Sequence, residues 1–173
     1  MTKAKFKKYR VIVDFYEARE ESARDQIQFY RDEYNEELSE DTADQWAVDD
    51  LYDYARNELT TEIDRHAPHG IAVFADLGLW NGRRSGVKIV DSFSDVLALC
   101  DDLMYVTIET TAQGLTVHAP HHDGTNIYTL RALTKAGANR YSDYDDELEQ
   151  SLVHGSQRTI RRYTKNIKDL WEV

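Results

Sequence analysis

The chain has 173 residues and a formal net charge of −11, long enough for one domain that buries a substantial core. No apolar run approaches the roughly 20 residues that cross a bilayer. The basic start, with Lys3, Lys5, Lys7, Lys8 and Arg10, leads into a stretch interrupted by Asp14, too polar for a secretory signal. The lone Cys100 forms no internal disulfide, so a cytoplasmic protein is expected.

The charge is uneven. Between Val11 and Asp64 there are 18 Asp or Glu against Arg19, Arg24, Arg31 and Arg56, a balance of −14, which leaves about +3 for the rest. Phosphates would be repelled by that half, whereas a basic protein surface would be attracted.

In chain order, alternation of Val11, Val13 and Phe15 with Arg10, Ile12 and Asp14 predicts a strand over 9–16. From Glu17 to about Leu38 the period becomes helical, with Ala23, Ile27, Tyr30, Tyr34 and Leu38 as the apolar seam. Thr42 and Gln45 have the spacing of a capping box for a second helix, which buries Val48, Leu51, Tyr52, Ala55, Leu59 and Ile63 and stops at Pro68 and Gly70. The short connection predicts a helical hairpin over 17–66.

A sheet region follows over 70–135. Ile71–Ala75 reads as a short apolar strand, Asp76–Gly86 as a glycine-rich loop, Val87–Val90 as a strand, and Ser92–Cys100 as a short helix capped by Ser92 or Ser94. Three strands near 104–110, 114–119 and 126–132 form an antiparallel meander with turns at Gln113-Gly114 and Asp123-Gly124. Helices over 143–153 and 156–171 close the chain. The expected class is α+β: a helical hairpin, a small antiparallel sheet with strands added to the meander, and C-terminal helices.

With those turns, Glu109 faces His118, His118 faces Thr129, and Thr116 faces Arg131 on one polar face. A carboxylate, an imidazole and a guanidinium there can act as base, acid and charge clamp on a phosphodiester, with His122 assisting. The same residues also read as a polar face whose Glu–His pair satisfies itself, and a one-residue slip would scatter them. His121, His122 and Asp123 raise a metal reading. His118 and His122 lie four residues apart, roughly 13 Å along a strand, too far for one zinc, so no metal and no cofactor are expected.

The segment 77–86 lacks the ending of a phosphate-binding P-loop. Arg83 and Arg84 beside Trp80 can hold a phosphate, stack a base or meet a partner; equally, Trp80 plugs a sheet edge. On the first helix Glu17, Glu21, Asp25, Asp32 and Glu36 form a stripe that can imitate the phosphates of nucleic acid toward a basic groove, or simply keep the protein soluble. The basic C-terminal helix offers a contact to RNA or pairs with the acidic half.

Two segments, GLWNGRRSG over 78–86 and HHDGTN over 121–126, followed by Tyr128, Arg131 and the RRYTKNI run over 161–167, carry a resemblance. The last hundred or so residues resemble short proteins of phages, plasmids and conjugative elements of Gram-positive bacteria. Some anti-CRISPR proteins directed at Cas9 look related to that group. The resemblance implies counter-defence against Cas9 or its guide RNA complex, and it assigns no catalytic residue. A ribonuclease cutting guide RNA and a non-catalytic interaction module, monomeric or homodimeric, are the alternatives.

Overall fold

The computed structural model describes residues 10–80, 82–141 and 157–168. Its centre is a seven-stranded sheet of β1 (Arg10–Asp14), β2 (Ile71–Leu79), β3 (Gly82–Val90), β4 (Thr107–Thr111), β5 (Gly114–His121), β6 (Gly124–Leu133) and β7 (Thr164–Asn166). The order is β1-β4-β5-β6-β2-β3, every pairing is antiparallel, and β7 joins the end of β6. The helices are α1 (Phe15–Tyr34), α2 (Glu40–Tyr54), α3 (Thr60–His66), α4 (Phe93–Leu97), α5 (Lys135–Tyr141) and α6 (Gln157–Arg162). The fold is α+β, with the expected helical hairpin and a meander to which outer strands are added. Among the described residues no helix is long and apolar enough to cross a membrane.

α1 begins directly where β1 ends, with Asp14 as its cap accepting from the Glu17 N–H. It stops four residues before Leu38, because Asn35 takes the left-handed conformation at φ 50° and its N–H closes on the Tyr30 carbonyl. The cap of α2 is Ser39, whose hydroxyl accepts from the Thr42 N–H at 3.2 Å, and not Thr42 itself. A π-helical turn, Ala55–Leu59, joins α2 to α3 without a break. Thr60 closes that turn by donating its hydroxyl to the Ala55 carbonyl at 2.6 Å. Of the expected seam, Ala55, Leu59 and Ile63 are fully buried, while Val48, Leu51 and Tyr52 are half-buried.

One sheet face carries Ile71, Val73, Ile108, Leu115, Val117 and Leu130 and is covered by Phe15, Ala55, Leu59 and Ile63 from the helical layer and by Phe93 and Val96 of α4. The opposite face carries Ala72, Phe74, Val87 and Leu133 under Tyr141 of α5 and Ile160 of α6. Burial on both faces explains why Ile71–Ala75 is apolar without alternation. α4 has the expected cap, a box between Ser92 and Asp95.

All three tight hairpins share one construction. Leu79 pairs with Gly82, Thr111 with Gly114 and His121 with Gly124, each across a two-residue loop. The glycine after each loop sits at φ 144°, 145° or 152°, a region that only glycine enters readily. The glycines therefore open the next strand and do not lie within the turns. Both meander turns fall one residue earlier than the sequence suggests, and the Asp76–Gly86 segment is a hairpin of two paired strands, not a loop.

At the chain's end, the expected helix over 156–171 is shorter than the sequence suggests. α6 ends at Arg162, and Thr164–Asn166 takes up the edge of β6 where β5 leaves off. The expected helix over 143–153 lies outside the described residues.

Cys100 lies half-buried after α4, its thiol donating weakly to the Val96 carbonyl at 3.7 Å. Burial, with the Asp101 charge assisting, pushes its pKa up to about 11 from 9.0. Its thiolate fraction at pH 8 is thus about 100-fold below that of an unperturbed thiol. Alkylation by iodoacetamide at that pH should be slower by a similar factor in the folded protein, and modification at the free-cysteine rate would contradict the buried placement.

Candidate functional site

The one-residue displacement of each turn moves every meander pairing by two positions. Glu109 lies opposite Thr116, and His118 lies between Thr107 and Ile127. A two-position shift preserves the face on which a side chain points, so Glu109 and His118 become diagonal neighbours on the same face. The His118 Nε2 and the Glu109 Oε1 meet at 2.8 Å, with both side chains half-buried.

Arg131 does not join them. Thr116 faces Thr129, and the Arg131 side chain runs past Gly114 at the other end of β5. Gly114 and His118 are four residues apart, roughly 13 Å along the strand. His122 is also apart, exposed in the turn beyond β5 and 3.2 Å from its neighbour Asp123. The structure thus assembles the carboxylate–imidazole pair but neither the clamp nor the assisting histidine.

The segments 78–86 and 121–126, distant in sequence, meet at one end of the sheet. Asn126 accepts the Gly78 N–H at 3.2 Å, and its Oδ1 lies 3.1 Å from the His121 Nε2. Its amide nitrogen donates to the Tyr128 hydroxyl at 3.3 Å. Arg83 donates to Asp76 at 3.0 Å and reaches the Thr125 carbonyl. Gly78 allows this approach: a Cβ there would stand 2.8 Å from the Thr125 carbonyl oxygen. Trp80 projects from the tip at 88 % exposure beside the exposed Arg83 and Arg84, so it plugs no sheet edge.

His121, His122 and Asp123 hold their potential ligand atoms within 4.8 Å of one another. Yet the His121 Nδ1 accepts the Asp123 N–H and its Nε2 faces Asn126, so both ring nitrogens are engaged. A metal ion would have to displace one of those bonds. The local order of the turn is accounted for by hydrogen bonding alone.

All five carboxylates of the α1 stripe are exposed. They do not act alike. Glu17 occupies the first turn of α1, where negative charge complements the helix dipole. Asp32 accepts from Gln28, and Glu36 lies beyond the helix end with its N–H on the Tyr30 carbonyl. Glu21 and Asp25 instead line an open groove of about 490 Å³ between α1 and α2, shared with Phe29, Tyr30, Trp46 and Asp50. Tyr30 contacts Phe29, Tyr34 and Trp46 with ring centroids 5.2–6.2 Å apart. Phe29 remains 52 % exposed and Trp46 38 % exposed. Among the described residues, no ion pair occupies Glu21, Asp25 or Asp50.

The aromatic half of this groove was missed by the sequence reading. Its only signal was Phe29, which interrupts the acidic stripe one helical repeat after Asp25 where a solvated face would have a polar residue. No match was found among protein-family models, curated proteins or solved structures.

Proposed function

We propose that the protein is a counter-defence binder that docks the groove between α1 and α2 on a basic, nucleic-acid-handling surface of a host nuclease. Cas9, free or with its guide RNA, is the target the resemblance suggests. The observation that carries this reading is the joint presence of three carboxylates, unpaired among the described residues, and half-exposed aromatic rings in one groove. Lysine and arginine side chains fit both components: the carboxylates take their charge and the ring faces take the guanidinium plane. Aromatic anchors framed by charge are the usual centre of binding energy in an interface.

The test is binding to purified Cas9, with and without guide RNA, at 0.1 M and 1 M salt, together with a DNA-cleavage assay and a denaturing gel of the guide. The screening length falls from about 10 Å to about 3 Å over that range, so association should slow steeply with salt. DNA cleavage should fall while the guide stays intact. Association unaffected by salt, or no association, would overturn the reading.

The ribonuclease alternative rests on the 2.8 Å contact between Glu109 and His118. It predicts guide fragments on the same gel that disappear in His118→Ala. Arg131, the clamp expected there, lies at the other end of β5 and does not neutralise the charge that builds up on a phosphodiester in the transition state.

A further inference from the structure

On the sheet face opposite the helical hairpin, a small cavity of about 110 Å³ is lined by Phe74, Gln113, Thr129, Arg131 and Arg161. It lies at the seam where β6 exchanges one neighbour for another, between the first residues of β5 at Gly114 and Leu115 and the last residue of β7, Asn166, the pairing partner of Arg131. The cavity brings together two guanidinium groups, a hydroxyl and a carboxamide. Among the described residues neither arginine has a carboxylate partner.

Arg161 lies over the Phe74 ring, 5.1 Å from its centroid, which fixes the guanidinium in place. The Arg131 Nε is buried and has no hydrogen-bond partner, although a buried donor left unmade is costly. Burial and the neighbouring Arg161 charge both hold the Arg131 guanidinium below its ordinary pKa. An anion between the two guanidinium groups would offset their adjacent like charges, which a water would not.

We propose that this cavity is a binding site for a single phosphate monoester group. Two positive charges, unpaired among the described residues, match a phosphomonoester, which carries about −1.5 to −2 at pH 7, better than the single charge of a diester. Arginine's planar fork suits phosphate oxygens, and the Thr129 hydroxyl and Gln113 amide supply further donors. At about 30 Å³ per water, the cavity holds roughly four waters, room for a phosphate group but not for a nucleoside. Any remainder of the ligand therefore lies outside the cavity. The site is independent of the groove on the other face.

The test titrates inorganic phosphate into the full chain by calorimetry at constant ionic strength, with chloride as the control and uridine 5′-monophosphate as a second ligand. Saturable phosphate binding is expected, weakened at least 10-fold in Arg161→Gln, whose exposed side chain makes folding of the variant secure. Thermal unfolding gives a second readout: phosphate should raise the midpoint of the wild type and not that of Arg161→Gln. Nucleotide binding as tight as phosphate shows that the site reads the phosphate group alone, tighter binding adds contacts beyond it, and phosphate binding without nucleotide binding would overturn the proposal. A response that chloride reproduces, or that survives unchanged in Arg161→Gln, would overturn the proposal.

Discussion

Replacing Phe15 by alanine should destabilise the protein by about 3–5 kcal/mol, the cost of emptying a fully buried aromatic site. Phe15 is 0 % exposed and is the sole fully buried residue of α1. It stands where β1 turns into the helix, its N–H on the Val106 carbonyl at 3.1 Å and its ring in the cluster with Ala55, Leu59 and Ile63. It is the deepest contact between a 20-residue helix and the sheet, beside the stack of Tyr16 on Tyr105. In a domain of this size the thermal midpoint should drop by roughly 6–20 °C. Hydrogen exchange along α1 should accelerate ahead of exchange in β5 and β6. Phe29→Ala is the control: at 52 % exposure it should shift stability by only about 0.5 kcal/mol, yet weaken partner binding. A Phe15→Ala protein as stable as the wild type would show that α1 docks through contacts other than this ring.

The second large effect concerns association. In Glu21→Lys/Asp25→Lys/Asp50→Lys the groove should lose its partner, with the association rate falling about 100-fold at low salt, within the range that electrostatic steering spans. The three carboxylates are exposed and unpaired among the described residues, so each change should leave stability within about 0.5 kcal/mol. Phe29→Ala should act differently, on dissociation, because an apolar contact forms after encounter. A triple variant that associates at the wild-type rate would reduce the acidic face to a solubility device.

The helical hairpin, the meander and its two faces were legible in the sequence because they follow from side-chain periodicity, whereas the β2–β3 hairpin, α5 and β7 were not. Ile108, Leu115, Val117, Tyr128 and Leu130 share the core face as their alternation requires. Register was not legible. It depends on whether Gly114 and Gly124 sit inside their turns or just after them, and a dipeptide does not say which. Because the misplacement was one residue per turn, pairings moved by two and Glu109 still met His118; a one-position shift would have separated them. Arg131 was lost from that pair by the same shift.

Other features were hidden because they are non-local. The strand character of Asp76–Gly86 depends on Thr125 and Asn126 packing against Gly78, a contact spanning 48 residues. The end of α1 rests on Asn35 alone taking a left-handed turn, which asparagine tolerates but does not announce. The acidic half of the groove was visible as a stripe, but Trp46 and Asp50 join it only once α2 has folded back. Arg131 and Arg161 are separated by thirty residues of chain and meet only because β7 brings α6 onto the sheet.

The sheet also acts as a divider. The segment from Val11 to Asp64, with its balance of −14, supplies the helical layer on one side, whereas Arg131 and Arg161 sit on the other. Among the described residues, charge is thus separated across the sheet. In the field of a nucleoprotein, where cationic protein and anionic backbone lie close together, the molecule experiences a torque before it makes any contact. Against the partner proposed above, the torque on the described charges turns the helical layer toward the cationic protein. Orientation, ordinarily the improbable part of a productive collision, is then partly decided while the two bodies are still about a screening length, roughly 8 Å at physiological salt, apart.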